Sequence, residues 1–170
     1  MQDFYLVGGT ALALYYFQHR ESYDVDLFCQ KFTPKQIDKV LNVLKSKENI
    51  TVRLDEESTL NIRAKYQVYT ITFEDNSICK LDFVEDFIPL THKLKNVDGV
   101  HVLSLQDIYH RKLYAMTGSQ KGVNNVGQDM MLGGRQEAKD FFDIYLLSTT
   151  HVPIADFIKT DATRKEAFVL

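Results

Sequence analysis

Short apolar runs bounded by polar or turn residues predict β-strands in the first half of the chain. The predicted strands cover residues 4–7, 23–29, 50–54, 60–64, 68–73 and 78–84. The last two flank the polar stretch 74–77, which makes them a predicted hairpin. We expect them to form a short, twisted, mixed sheet of about five strands, a common sheet size.

Apolar residues at helical spacing predict helices that pack on this sheet. The predicted helices cover residues 10–19, 33–47, 104–116, 136–148, 153–159 and 162–168. In the second of these, Ile37, Val40, Leu41 and Leu44 fall at i, i+3, i+4 and i+7, which gives one buried face. Strands that alternate with helices over the first 54 residues indicate an α/β fold, and the later helices form a helical C-terminal part.

The chain of 170 residues is long enough for one domain or for a small core with an appendage. Because the strand pattern ends near the turn at 97–99, we predict a core at 1–99 and a helical subdomain at 100–170. Five of the eight glycines fall in residues 117–134, which show no periodicity. Long connections of this kind are uncommon in compact domains, so we predict a flexible insertion there.

The composition is that of an ordinary globular protein, with 45% hydrophobic and 25% charged residues and a net charge of −3. Residues 31–53 nevertheless hold six basic side chains against two acidic ones. They form either a local surface for a polyanion or, more commonly, a solvated helix face. Cys29 and Cys79 are read as buried reduced thiols. No apolar run could span a bilayer, and a soluble cytoplasmic protein is expected.

Two aspartates stand two residues apart in the second predicted strand. Alternate residues of a strand point to the same face, so Asp24 and Asp26 should project together. Neighbouring carboxylates repel each other unless a cation lies between them, which points to a magnesium site. The alternative is a pair of surface residues on an edge strand. A third carboxylate, Asp82, lies in the strand 78–84, which should otherwise be core.

A double glycine joins the first predicted strand to the first helix. Gly8 and Gly9 would let backbone amides at the helix start approach a phosphate, and the Thr10 hydroxyl would add a donor. A plain strand-to-helix turn is the commoner use of two glycines. The sequence therefore leaves both interpretations open.

These motifs match a known family in order and spacing over roughly residues 4–147. The chain resembles the polymerase-beta-like nucleotidyltransferases and, more closely, the AbiEii/AbiGii toxins of type IV toxin–antitoxin or abortive-infection systems. The motifs that carry the resemblance are Gly8-Gly9-Thr10, Arg20-x-Ser22-x-Asp24-x-Asp26-Leu27-Phe28, Asp82, the helix with Lys112, and Lys139-Asp140-x-x-Asp143. The connection 117–134 is longer than the family's usual one.

The resemblance implies a polymerase-beta-like nucleotidyltransferase fold in which a helical C-terminal part closes the cleft. It implies a toxin that transfers NMP from an NTP to an acceptor, tRNA or another RNA, or a protein, and that is countered by a cognate antitoxin. Asp24, Asp26 and Asp82 would be catalytic and would hold two Mg²⁺ ions, with Mn²⁺ as a substitute. The implied nucleotide-binding residues are Gly8, Gly9, Thr10, Arg20, Ser22, Lys112 and Asp140.

Purely structural roles are alternatives to several of these assignments. Arg20 could neutralise phosphate or simply cap its helix, and a helix lysine such as Lys112 is usually solvated. Asp143 is either a second member of the group around Asp140 or a solvent residue. Two other functions remain in competition: a nucleotide-binding regulatory module without turnover, and a transferase that modifies small molecules such as antibiotics.

Overall fold

The computed structural model describes residues 4–60, 64–117, 120–123, 129–132, 134–135 and 137–165. These residues form a seven-stranded mixed sheet, a separate two-stranded hairpin and five α-helices. The predicted α/β class with a mixed sheet is confirmed. The chain divides into two compact units, Met1–Ser104 and Leu105–Leu170.

The large sheet lies in the first unit. Its strands are β1 (Tyr5–Leu6), β2 (Asp24–Cys29), β3 (Thr51–Ser58), β4 (Tyr66–Thr72), β5 (Ile78–Glu85), β6 (Lys95–Val97) and β7 (Val100–Val102). The order is β3-β4-β5-β2-β1-β7-β6. The β2–β5 and β1–β7 pairs are parallel, and the other pairs are antiparallel.

The expected five strands were too few. Strands β6 and β7 have three residues each, which is too short for alternation to be recognised in the sequence. They are held by pairing with each other and by the parallel contact of Leu6 with Val102. The strand predicted at 60–64 falls largely outside the described residues.

The first helix differs from its prediction at both ends. Helix α1 (Gly8–Leu12) includes both glycines, and the chain continues as a π-helical segment, Ala13–Phe17. It ends before Gln18, whose φ of 50° lies in the left-handed region. Single π-turns are uncommon and often lie near functional sites. This one leads into the loop that precedes β2.

Helix α2 (Pro34–Lys45) covers one face of the sheet. Proline at its first helical position fits there without loss of a hydrogen bond. Ile37 and Leu41 are buried, as the spacing predicted. They share a core with Phe4, Cys29, Phe32, Tyr69, Ile71, Leu81 and Phe83, against which Val25 and Leu27 also pack.

The second unit contains α3 (Leu105–Thr117), β8 (Gln120–Val123), β9 (Asp129–Leu132), α4 (Ala138–Thr150) and α5 (Ile154–Lys165). Tyr109 of α3 stacks on Phe157 of α5 with ring centroids 4.1 Å apart. The two helices predicted at 153–159 and 162–168 are one helix as far as Lys165, and the residues after it lie outside the described part.

The predicted insertion 117–134 contains regular structure, because β8 and β9 pair antiparallel within it. The remaining residues of that segment are largely outside the described ones. Neither cysteine forms a disulfide bond; Cys29 is buried as predicted, whereas Cys79 is only partly buried. Within the described ranges, no helix combines the length and the hydrophobicity that crossing a membrane requires.

Candidate active site

The parallel pairing of β2 with β5 brings three carboxylates onto one face of the sheet. Asp26 lies directly opposite Asp82, and Asp24 lies opposite Lys80. The intervening residues Val25, Leu27, Leu81 and Phe83 face the core under α2. Side chains alternate along a strand, so the aspartates project from the face away from α2. We call Asp24, Asp26, Asp82 and Lys80 the strand quartet.

Lys80 is the member of the quartet that the sequence did not single out. Its Nζ lies 3.0 Å from Asp82 Oδ2, and its side chain is 49% exposed. Burial lowers the pKa of Lys80, but the hydrogen bond to Asp82 and the charges of Asp82, Asp24 and Asp26 outweigh it and raise the pKa. Lysine and aspartate two apart in a strand share a face, and that signal was available in the sequence.

The oxygen donors of the quartet suit Mg²⁺ in chemistry. Mg²⁺ prefers carboxylate oxygens and retains several waters. Asp82 Oδ1 is buried and has no hydrogen-bond partner in the described structure, so one oxygen is available. Among the described residues no three His, Cys, Asp or Glu side chains already converge as a metal cluster. A metal would therefore require the aspartate side chains to draw together.

The two glycines lie against two different neighbours. Gly8 has a φ of 69°, and a Cβ there would lie 2.6 Å from Asp26 Oδ2. At Gly9 a Cβ would collide with the guanidinium of Arg20. The Val7 amide also donates to the Asp26 carbonyl at 3.0 Å. The double glycine thus lets the helix start approach both the quartet and Arg20.

Thr10 and Ser22 connect the helix start to the beginning of β2. Thr10 is buried, its hydroxyl lies 2.7 Å from the Ser22 hydroxyl, and it donates to the Asp24 carbonyl oxygen. This contact fixes the backbone from which the Asp24 side chain projects. The loop before β2 also contributes Arg20, which donates to the Glu21 carbonyl at 3.0 Å.

An open depression of about 620 Å³ adjoins this loop. Its lining comes from the π-helical segment and the loop, and consists of Ala13, Leu14, Gln18, His19, Arg20, Glu21, Ser22 and Tyr23. Arg20 and Ser22, both predicted to bind nucleotide, therefore line a concave surface next to Asp24.

The second unit holds a separate charged group around Lys112. Lys112 is buried, and its Nζ lies 2.7 Å from Asp140 Oδ1 and 2.6 Å from Asp143 Oδ2. Asp140 and Asp143 stand three apart on α4 and share a face. Asp143 is thus a second member of the group and not a solvent residue. Lys139 pairs instead with Glu137, at 3.0 Å.

Arg135 completes this group, and no sequence motif pointed to it because it precedes α4. Its Nε lies 2.7 Å from Asp140 Oδ2, and its terminal nitrogen lies 2.9 Å from Oδ1. Burial raises the pKa of Asp140, but the contacts with Arg135 and Lys112 outweigh it and lower the pKa. We call Lys112, Arg135, Asp140 and Asp143 the helix quartet.

Comparison with known proteins places the chain in one family. The family model described as "Nucleotidyl transferase AbiEii toxin, Type IV TA system" matches residues 1–168. No protein of curated function matches the sequence.

Two crystal structures from Helicobacter pylori share the fold. JHP933 is 21% identical with a TM-score of 0.60, over 88% of this chain and 59% of that one. The other, described as a proposed nucleotidyltransferase, is 21% identical with a TM-score of 0.61, over 92% of this chain and 68% of that one. The chain thus spans less than two thirds of the length of JHP933.

Proposed function

Because this chain belongs to the AbiEii family of nucleotidyltransferase toxins, we propose that it is a magnesium-dependent enzyme that transfers NMP from an NTP to RNA. The register of β2 against β5 carries this proposal, since it sets Asp26 opposite Asp82 with Asp24 on the same face. Three carboxylates on adjacent strands are a suitable ligand set for the cations of phosphoryl-transfer chemistry.

In the proposed reaction an acceptor hydroxyl attacks the α-phosphorus in line. The new oxygen–phosphorus bond forms while the bond to pyrophosphate breaks, and pyrophosphate leaves. Bound Mg²⁺, or Mn²⁺ in its place, would neutralise charge on the attacking and leaving oxygens. Asp24, Asp26 and Asp82 would provide its ligands. Asp82 is also our candidate to accept the hydroxyl proton.

Residues around the helix start would bind the triphosphate. The guanidinium of Arg20 lies across Gly9, where backbone amides begin α1, so cation and amides could share one phosphate. Thr10 and Ser22 would act mainly by holding the Asp24 backbone, because their hydroxyls contact each other. Lys112 and Asp140 are still predicted to bind the nucleotide, and only the family motif supports that prediction.

Membership of the family is the basis on which we propose an acceptor and a partner. We propose tRNA or another RNA as the acceptor, with protein as the alternative, and a cognate antitoxin as the partner that restrains the toxin. The family's description as a type IV toxin–antitoxin system supports the antitoxin.

Nucleotide binding without turnover is a second candidate, and one observation favours it. Lys80 already neutralises part of the Asp82 charge, at 3.0 Å. If the ammonium cannot be displaced, the site would bind a nucleotide but would not assemble the metals. Retained NTP binding with no transfer to RNA, protein or aminoglycosides would support this function.

The test incubates the full chain with each radiolabelled NTP, Mg²⁺ and total RNA, and separately with total protein. Wild type should label RNA. The Asp24→Asn/Asp26→Asn variant should lose at least about 100-fold in rate, because its cation ligands are weakened. Asp38→Asn is the matched control, since Asp38 is exposed on α2, which covers the opposite face. Labelling that persists in the double variant would reject the site.

A further inference from the structure

We propose that Lys80 is a positioning residue whose ammonium takes the place of a cation beside Asp24, Asp26 and Asp82 until metal binds, and so sets the affinity of this site for Mg²⁺. This inference rests on the proposed function, because it assigns the strand quartet as the metal site.

The register places Lys80 at one corner of a four-residue square. Asp24 faces Lys80 across β2 and β5, and Asp26 faces Asp82. Neighbouring strands lie about 4.8 Å apart, so each member of the square is close to the others. The square thus holds three carboxylates and one ammonium, and its net charge is negative.

The contacts within the square are uneven. The ammonium lies 3.0 Å from Asp82 Oδ2, while Asp82 Oδ1 is buried without a hydrogen-bond partner in the described structure. Lys80 therefore neutralises one side of a carboxylate and leaves the other oxygen open. A metal could bind this second oxygen while the ammonium stays close to the first.

Two consequences follow from the charges. Without metal, the ammonium reduces the repulsion among the three carboxylates and stabilises the folded chain. When Mg²⁺ enters, the same ammonium repels it. Removal of the Lys80 charge should therefore lower the stability of the metal-free protein and raise its affinity for the metal.

A surface ion pair without this role would behave differently, and the same sheet offers one for comparison. Lys65 Nζ lies 3.8 Å from Glu85 Oε1, at the end of β5 away from the quartet. Lys65→Gln removes the same charge and a similar ion pair, so it is the matched control. Lys80→Arg keeps the charge and should restore wild-type behaviour in part.

The experiment titrates full-length wild type, Lys80→Gln, Lys80→Arg and Lys65→Gln with Mn²⁺ in the absence of nucleotide. Free Mn²⁺ is followed by electron paramagnetic resonance, with Mg²⁺ as the competitor. Circular dichroism checks the fold, and melting temperatures are measured in EDTA and in Mg²⁺. We expect Lys80→Gln to bind both metals on the order of tenfold more tightly. Its melting temperature should fall in EDTA and recover more than wild type in Mg²⁺.

Unchanged or weaker metal binding in Lys80→Gln would overturn the inference. Weaker NTP binding in that variant, with metal affinity as in wild type, would make Lys80 a phosphate ligand instead. If wild type transfers NMP but Lys80→Gln binds metal like Lys65→Gln, this inference fails and the proposed function stands. If wild type neither binds Mn²⁺ nor transfers NMP with Mg²⁺, both fail.

Discussion

The strand quartet and the helix quartet are built from similar residues but differ in charge balance. The first has three carboxylates and one half-exposed ammonium, and Asp82 keeps a buried oxygen without a hydrogen-bond partner in the described structure. The second has two carboxylates and two cations, and Lys112 and both aspartates are buried. An excess of negative charge leaves the strand quartet ready for a cation. A balanced set instead joins helices α3 and α4.

This difference argues against nucleotide binding as the main role of Lys112. The family motif predicts that it binds nucleotide phosphate, but both of its contacts at 2.6–2.7 Å are with carboxylates of its own unit. A compensated ammonium attracts phosphate less than a solvated one does. Substitutions in the two quartets can separate a structural cross-link from a ligand site.

Lys112→Met should destabilise the protein by about 3–5 kcal/mol, because it leaves two buried carboxylates without their shared partner. The free energy of unfolding is measured by urea denaturation. Lys139→Met is the control: that lysine is exposed and pairs with Glu137, so its loss should cost less than about 1 kcal/mol. A stable Lys112→Met variant with weakened NTP binding would make Lys112 a ligand residue and remove the contrast between the quartets.

Asp26→Asn should act in the opposite sense on stability. In EDTA the free energy of unfolding should stay the same or rise by up to about 1 kcal/mol, because one of three like charges is removed. Transfer should fall at least about 100-fold, as metal ligation is weakened. Asp140→Asn is the comparison and should lower stability. Equal destabilisation by both substitutions would mean that the strand quartet is structural as well.

The pH dependence should distinguish the quartets by a smaller effect. The pKa of Asp140 is lowered below its ordinary value of 3.8 in the folded chain, so its charge stabilises the fold above about pH 4. That contribution is lost as the pH falls through the lowered pKa of the folded chain.

Unfolding of wild type and Asp140→Asn is compared between pH 7 and pH 3 to measure this effect. The variant should show the shallower loss of stability on acidification. Parallel curves would show that Asp140 titrates alike in the folded and unfolded states.

The sequence predicted most of what depends on local pattern. The alternation that places Asp24 and Asp26 together also buries Val25 and Leu27, and both outcomes follow from period-two geometry. The α2 helix and the β4–β5 hairpin likewise followed from spacing and turn residues. The positions of β6 and β7 did not, because three residues carry no measurable period.

Contacts set by tertiary register lay beyond what the sequence could predict. Nothing local indicates that β2 pairs in parallel with β5, and only that pairing sets Lys80 opposite Asp24. Arg135 lies five residues before Asp140 and outside the helix, so helical spacing could not connect them. The roles of the site residues remain predictions, since they depend on ligands that the chain alone does not reveal.

The two glycines at the start of α1 also have a genetic consequence. A side chain at Gly9 meets the far end of a long, flexible arginine, so a second change that shortens Arg20 should suppress a defect at Gly9. At Gly8 the positive φ is strained for any side chain, whatever happens to Asp26. Two adjacent and chemically identical residues would thus differ in evolution. One can be exchanged together with its neighbour, and the other is fixed by the backbone itself.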